Sequence, residues 1–299
     1  MQKTNDRKLL SMVSANRAGE KNNPSDRLKV SDINTYGNMD IDYLMEDLSS
    51  MGDFPKLDTT EIIQKFGHEF IRAVPQGYTL SKKLGQGAFG STFSICKSRF
   101  ECSALKVVQL QNGSRELVHE INMQNKFHSK GLAPAILGKP IYYKYDGKQY
   151  GVIHMEQIDG VLDNILSKDL IPQSLDDIIS GFLYLVGKMK AAGFAHRDAH
   201  PGNIAVNYKR DADGKLTMQL SLIDFGHSKT NIGAWPELEV LQFLRCLSIR
   251  DEGEPGVTQR NQDYIWERLI KFEQTNFDKN IRTIDQVERM FNELFDETM

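Results

Sequence analysis

Apolar residues follow different patterns in the two halves of this chain. From Tyr78 the sequence shows short strand-like runs broken by glycine, YTLSKKL, STFSICK and SALKVVQL, and then a helical stretch, RELVHEINMQNKFHS. Short runs rich in apolar and β-branched residues and bounded by turn residues predict strands. Two more strands are predicted at Lys139–Tyr145 and Tyr150–Met155, joined by a turn at Asp146-Gly147. The first half is therefore predicted to be rich in β-structure.

The second half of the chain is predicted to be mostly helical. Leu175–Ala192 carries apolar residues at the spacing of a buried helix, and the sequence from Glu237 to Met299 is also helical in pattern. Between them, two strands are predicted on either side of the turn D-A-D-G at 211–214. A β-rich half followed by an α-rich half predicts an α+β fold.

The sequence before Tyr78 divides into a polar extension and a helical lead-in. Residues 1–58 are polar, basic at first and then acidic, which predicts a disordered segment that is either a docking arm for a partner or a solvated leader. Residues 59–77 place apolar side chains at helical spacing, with Thr59 or Thr60 as the N-cap.

Composition restricts the class of protein. The 299 residues are 40% hydrophobic and 26% charged, which is ordinary for a soluble globular chain, and the net charge of −3 creates no field that would attract nucleic acid. No apolar run is long enough for a membrane span, and the first residues lack a secretory signal. Cys96, Cys102 and Cys246 are too few and too scattered for a disulfide framework or a zinc site, which predicts a reducing, cytoplasmic setting.

A glycine-rich segment lies at residues 84–90, where L-G-Q-G-A-F-G contains the pattern G-x-G-x-x-G. A dinucleotide-binding fold would need these glycines to open a helix, but residues 91–97 are strand-like, so the loop joins two strands. Glycines in such a hairpin let backbone N–H groups approach phosphates closely. A glycine-rich hairpin without a ligand is the alternative interpretation.

Lys106 lies in an apolar strand, which makes it either a snorkelling edge residue or a cation held for a buried anion. A phosphate-binding lysine needs a carboxylate partner to fix its ammonium group. Glu120, 14 residues later (120 − 106), is in the middle of the next helix, and Glu116 is the competitor one turn earlier. Glu120 is favoured because the apolar face of the helix continues beyond it.

The strongest motif is H-R-D-A-H-P-G-N at residues 196–203, followed 21 residues later (224 − 203) by D-F-G at 224–226. The glycine loop, the strand lysine, the helix glutamate and these two motifs occur in the order that the eukaryotic protein-kinase superfamily has. The chain therefore resembles the catalytic core of that superfamily. The resemblance covers about residues 78–250. It implies a bilobal protein-kinase-like fold, with a β-rich N-lobe at 78–158 and a shortened α-helical C-lobe at 159–299.

The resemblance also implies roles for individual residues. Asp198, next to Arg197, is the base that accepts the proton of the attacking hydroxyl, and Lys106 with Glu120 clamps the phosphates of ATP. Asn203 and Asp224 are the ligands of Mg²⁺. Met155 is the gatekeeper beside the adenine, whose edge is read by backbone groups of Glu156 and Ile158. The full set implied for the nucleotide is Leu84, Gly85, Gln86, Gly87, Ala88, Phe89, Gly90, Thr92, Ala104, Lys106, Met155, Glu156 and Ile158.

The sequence departs from ordinary protein kinases at three places. His200 replaces the lysine that Ser/Thr kinases carry two residues after the catalytic aspartate. No A-P-E motif is present, and only about ten residues separate Gly226 from the next helix, where Glu239 takes the place of an anchoring aspartate. Only 73 residues (299 − 226) follow D-F-G, so the C-lobe resembles the compact RIO-type, viral or bacterial-effector kinases. Ser228 and Thr230 are possible phosphate acceptors.

These features predict an ATP- and Mg²⁺-dependent Ser/Thr protein kinase with a protein substrate. A small-molecule kinase is the first alternative, because D-x-H-P-G-N is typical of that class and the peptide-binding platform is minimal. A pseudokinase that acts as a binding module is the second. All the catalytic residues that the resemblance implies are present, which favours an enzyme over a pseudokinase.

Overall fold

The structure, a computed structural model, describes residues 57–87, 90–98, 100–111, 113–168, 170–210, 216–230, 236–247, 257–277 and 283–297. The predictions for residues 1–56, for Ala88 and Phe89 and for the turn at 211–214 lie outside the described residues. The described residues form two compact units. The sheet unit comprises those within 57–159 and 223–226, and the helical unit comprises those within 160–222 and 227–297.

The sheet unit contains one antiparallel sheet of five strands in the order β1-β2-β3-β5-β4. Its elements are α1 (Thr60–Phe66), α2 (His68–Arg72), β1 (Thr79–Gln86), β2 (Gly90–Ser98), β3 (Glu101–Leu110), α3 (Arg115–His128), β4 (Ile141–Tyr145) and β5 (Lys148–Met155). Asp146 and Gly147 both have positive φ, 47° and 69°, which is the conformation of a type I′ hairpin turn between β4 and β5. The strands predicted in the first half of the chain are confirmed.

The helical lead-in differs from the prediction. Gly67, at φ 80°, interrupts the helical pattern and divides it into α1 and α2. Thr59 is the N-cap of α1, as predicted, but its side chain makes no capping hydrogen bond. Asp58 Oδ1 instead accepts a bond from the backbone N–H of Thr60 at 2.9 Å. Phe66 nevertheless lies in the core of the unit, with its ring 6.2 Å from that of Phe93 on β2.

Two cysteines of the sheet unit form a disulfide, a single bond that the prediction of too few cysteines for a disulfide framework did not include. Cys96 on β2 pairs directly with Cys102 on β3, and this register brings their Cα atoms to 4.1 Å. Directly opposed residues of antiparallel strands are close enough for an S–S bond. The two cysteines are six residues apart in sequence, and it is the register of β2 and β3 that places them opposite each other.

The helical unit contains three strands in the order β6-β8-β9, the two-stranded pair β10-β7 and five helices among the described residues. Its elements are β6 (Gly160–Val161), α4 (Leu162–Leu166), α5 (Pro172–Ala192), β7 (Phe194–Ala195), β8 (Ile204–Arg210), β9 (Leu216–Leu222), β10 (Lys229–Thr230), α6 (Pro236–Leu247), α7 (Gln259–Phe277) and α8 (Ile284–Glu297). A single 3₁₀ turn, Pro201–Asn203, precedes β8.

Helix α6 packs in the middle of the helical unit. It contacts α5, α7 and α8, and the ring of Phe243 stacks on that of Phe182 from α5 at a centroid distance of 4.3 Å. A β-sheet region followed by a helical region, with antiparallel sheets, confirms the predicted α+β class. Among the residues that the structure describes, no helix is both long enough and apolar enough to cross a membrane.

Candidate active site

The glycine-rich segment joins β1 to β2, as the sequence predicted. Leu84, Gly85 and Gln86 end β1, and the backbone N–H of Gly87 donates to the carbonyl of Gly90, the first residue of β2, at 3.0 Å. A Cβ atom on Gly90 would lie 2.2 Å from the backbone oxygen of Val107 on β3. Only glycine fits there, because that separation is far below any van der Waals contact.

Strand register brings the next predicted residues to one face of the sheet. Thr92 on β2 pairs with Lys106 on β3, and Ala104 on β3 pairs with Met155 on β5. Opposed residues in a sheet point to the same side, and so do residues two apart along a strand. The four side chains Thr92, Ala104, Lys106 and Met155 therefore share a face, and Ala104 is buried.

Lys106 forms an ion pair with Glu120 of α3. Its Nζ lies 2.7 Å from Glu120 Oε1, so the pairing that was favoured over Glu116 is present. Burial alone would lower the pKa of Lys106, but the charges of Glu120 and Asp224 outweigh it and raise the pKa above its ordinary value. The lysine is therefore a cation that is paired with Glu120 and stabilised by the charge of Asp224.

Asp224 occupies an unusual backbone conformation, with φ at 64°. A non-glycine residue in the left-handed region costs about 1–3 kcal/mol and occurs preferentially at functional sites. The next residue, Phe225, is fully buried with its ring 4.9 Å from that of Phe127 on α3. The buried ring anchors the D-F-G segment, and the carboxylate of Asp224 remains exposed.

The predicted hinge begins at the end of β5. The backbone N–H of Glu156 donates to the carbonyl of Ala135 at 2.8 Å, and the N–H of Ala135 donates to Glu156 Oε2 at 3.2 Å. Two hydrogen bonds thus fix Glu156 directly after Met155. Ile158, two residues further, is half-buried.

In the helical unit, Asp198 lies in a loop that contains little regular structure. Asn203 forms two hydrogen bonds across this loop. Its Nδ2 donates to both the backbone oxygen and Oδ2 of Asp198, each at 3.0 Å. The other carboxylate oxygen, Oδ1, accepts a bond from Gln242 Nε2 of α6 at 2.9 Å. Both oxygens of Asp198 are therefore held by amide donors.

His200 is oriented by the same loop. Its Nδ1 accepts a hydrogen bond from the backbone N–H of Gly202 at 3.1 Å, and its Nε2 lies 3.9 Å from Asp198 Oδ2. An Nδ1 that accepts leaves the proton of a neutral ring on Nε2. The imidazole therefore presents an N–H group beside the carboxylate of Asp198.

Glu239 of α6 holds the start of this loop. Its carboxylate accepts the backbone N–H groups of His196 at 2.6 Å and of Arg197 at 3.0 Å. Arg197 is buried and has φ at 68°, so these bonds support a strained backbone. Burial raises the pKa of Glu239 to about 7, although the two backbone bonds oppose this shift. Glu239 thus holds the backbone of His196 and Arg197, which agrees with its expected place as a substitute for an anchoring aspartate.

Ser228 follows the D-F-G segment and belongs to the helical unit. Its side chain is fully buried, and its hydroxyl donates to the carbonyl of His196 at 3.2 Å. A buried hydroxyl is inaccessible to a kinase, so the suggestion that Ser228 accepts phosphate is wrong for this conformation. Thr230, in β10, is half-buried.

The two predicted metal ligands are compatible with Mg²⁺. Asn203 uses its Nδ2 for both bonds to Asp198, which leaves the amide oxygen as the atom available to a cation. Asp224 offers an exposed carboxylate. Amide and carboxylate oxygens are the hard ligands that Mg²⁺ prefers. No group of three or more His, Cys, Asp or Glu side chains among the described residues forms a separate candidate metal site.

Gln242 is the site residue that the sequence reasoning missed. It lies on α6, whose residues Leu238, Val240, Leu241, Phe243 and Leu244 are buried, and it is itself buried. A polar residue within such an apolar helix is a signal, because buried polar groups need partners. Glu239 and Gln242 are three residues apart and therefore lie on one face of the helix.

The geometry of both units agrees with a comparison against protein-family models. The model described as Protein kinase domain matches residues 78–235, more than half of the chain. This chain therefore belongs to the protein kinase superfamily, whose members are phosphotransferases. The match begins at the residue where the glycine-punctuated strands begin and ends just before α6. A comparison with curated proteins gives no match.

Proposed function

We propose that this protein is an ATP- and Mg²⁺-dependent Ser/Thr protein kinase that transfers the γ-phosphoryl group to a protein hydroxyl. The observation that carries the proposal is the carboxylate of Asp198, fixed through both oxygens by Asn203 and Gln242. An oriented carboxylate beside an amide that can bind a metal is the arrangement that kinases use to align a hydroxyl for transfer.

The residues of the chain have separate tasks in this proposal. Lys106, fixed by Glu120, binds the α- and β-phosphates, and Gly85, Gly87 and Gly90 allow the backbone to approach them closely. Asn203 and Asp224 would hold Mg²⁺, which when bound would neutralise charge on the phosphates. Met155, Glu156 and Ile158 border the adenine. Arg197 contributes through its backbone, which Glu239 fixes.

Asp198 aligns the acceptor and takes its proton. The hydroxyl donates to the carboxylate while its oxygen forms a bond to the γ-phosphorus and the bond to the ADP oxygen breaks. The proton passes to Asp198 and then to solvent. General-base assistance of this kind contributes about 10²–10⁴-fold.

A small-molecule kinase is the second candidate, and His200 is the observation that favours it. An imidazole whose Nδ1 accepts the N–H of Gly202 and whose Nε2 lies 3.9 Å from Asp198 Oδ2 stands where Ser/Thr protein kinases carry a lysine. The short segment between Gly226 and α6 also provides little platform for a peptide.

The experiment compares acceptors and labels. Purified protein is incubated with Mg²⁺ and either γ- or α-labelled ATP, in the presence of a generic Ser/Thr protein or of sugars and aminoglycosides. Label from γ-ATP in protein supports the proposal, whereas label only in small molecules supports the second candidate. Transfer of α-label, or nucleotide binding without turnover, would reject phosphoryl transfer as the function.

A further inference from the structure

The carboxylate of Asp198 has a donor that the kinase motifs do not include. Gln242 Nε2 lies 2.9 Å from Asp198 Oδ1, across 44 positions of sequence. Because a carboxylate only accepts hydrogen bonds, the NH₂ end of the amide must face Asp198. The same Nε2 lies 3.6 Å from Cys246 Sγ, so both of its hydrogens have acceptors.

The amide oxygen of Gln242 gains no hydrogen bond that would explain a buried glutamine at this position. The residue is 4% exposed, and its Oε1 is buried with no hydrogen-bond partner among the described residues. An unpaired buried carbonyl oxygen is costly, so a leucine or methionine would fill this position more favourably if packing were its only task. The amide is explained by its bond to Asp198.

Gln242 and Glu239 act on consecutive residues of one loop. Glu239 accepts the backbone N–H groups of His196 and Arg197, and Gln242 donates to the side chain of Asp198. Asn203 holds the opposite oxygen of the same carboxylate. With one oxygen held from within the loop and the other from α6, rotation of the carboxylate about its Cβ–Cγ bond is opposed from both sides.

We propose that Gln242 is a positioning residue that fixes the carboxylate of Asp198 for phosphoryl transfer. The catalytic part of this inference rests on the proposed function, but the contact itself does not. Gln242 acts through Asp198, so its loss is expected to slow the chemical step and to leave ATP binding unchanged.

The first test separates kcat from KM. Gln242→Met removes the donor and keeps the volume, and we expect kcat to fall by about 10- to 100-fold, the range for a hydrogen bond to a charged group, with the KM for ATP unchanged. Gln124→Met is the matched control, since Gln124 is another buried glutamine that donates to a carbonyl, that of Pro134, at 3.1 Å. It is expected to lower Tm without selectively lowering kcat. Wild-type kcat in Gln242→Met, or parallel losses in kcat, KM and Tm, would overturn the proposal.

The second test needs no activity. Gln242→Glu places two carboxylates in contact and is expected to lower Tm by about 5 °C, an effect of a few kcal/mol for a chain of this size. Adding Asp198→Asn reverses the polarity of the pair, because the new amide donates to the new carboxylate, and Tm should recover. Additive losses in the double variant would mean that the two side chains do not interact. If even the wild type transfers no phosphate, the proposed function fails, and the recovery of Tm still decides whether Gln242 fixes Asp198.

Discussion

The sheet unit and the helical unit position their charged groups in different ways. Lys106 and Glu120 belong to a strand and the helix that follows it, and the strand ladder sets the direction of the lysine. Asp198 lies in an irregular loop whose partners, Glu239 and Gln242, come from a helix 42 to 44 positions away. A strand is held by its ladder of backbone hydrogen bonds, which a side-chain substitution leaves in place. The loop of Asp198 depends on side-chain hydrogen bonds, which a single substitution can remove. We therefore expect the helical unit to be the more sensitive of the two to isosteric polar substitutions.

The largest effect is expected at Asp198. Asp198→Asn keeps the shape of the side chain but removes the proton acceptor, so kcat should fall by about 10²–10⁴-fold. Steady-state assays with γ-labelled ATP measure this loss. Asp285→Asn, at an exposed carboxylate of α8, is the matched control and should match the wild type. Wild-type turnover in Asp198→Asn would exclude Asp198 as the base.

A smaller loss of activity is expected from the ion pair of the sheet unit. Lys106→Met removes the cation proposed to bind the phosphates and should lower kcat/KM by about 10²–10³-fold. It also leaves Glu120 without its partner, so Tm should fall, and Lys106→Met/Glu120→Gln should recover stability but not activity.

The control for Lys106 is a second lysine–glutamate pair in the same sheet. Lys97 pairs with Glu101 at the surface, and exposed pairs contribute little. Lys97→Met should therefore change neither activity nor Tm. A Lys106→Met protein that behaves like Lys97→Met would contradict the phosphate-binding role.

The pH dependence of stability tests the anchor of the catalytic loop. Burial raises the pKa of Glu239 from 4.5 to about 7, so its contribution to stability is complete below pH 4.5 and is lost as pH rises toward 7. The stability of the wild type relative to Glu239→Gln should therefore decrease by about 3 kcal/mol over this interval. Urea unfolding of both proteins across this pH range measures the difference. A difference that is constant or grows with pH would contradict the shift, and Glu293→Gln, at an exposed site, is the control.

The smallest effect is expected at the glycine loop. Gly90→Ala places a Cβ atom against the backbone oxygen of Val107 and should lower the free energy of unfolding by about 1–3 kcal/mol. Gly85→Ala meets no atom within 4 Å and should stay within about 0.5 kcal/mol of the wild type. Equal denaturation midpoints for the two variants would contradict the close contact between β2 and β3.

The same contrast explains what could be predicted from the sequence. The strands, α3 and the partner of Lys106 follow from apolar periodicity and short separations, which are local signals. The Cys96–Cys102 disulfide is local in sequence but depends on the exact register of β2 and β3, which the strand pattern does not specify. The bond from Gln242 to Asp198 joins residues 44 positions apart, and no local pattern indicates it. The break at Gly67 was missed because the apolar pattern continues across it, although a glycine with positive φ ends a helix.

The most direct test of the account is mass spectrometry of a Ser/Thr-containing protein after incubation with this chain, ATP and Mg²⁺. The account predicts phosphoserine or phosphothreonine in the presence of the wild type, and neither when Asp198 is replaced by asparagine or when Mg²⁺ is chelated. Phosphate gained equally with Asp198→Asn, or an AMP group in place of phosphate, would contradict it.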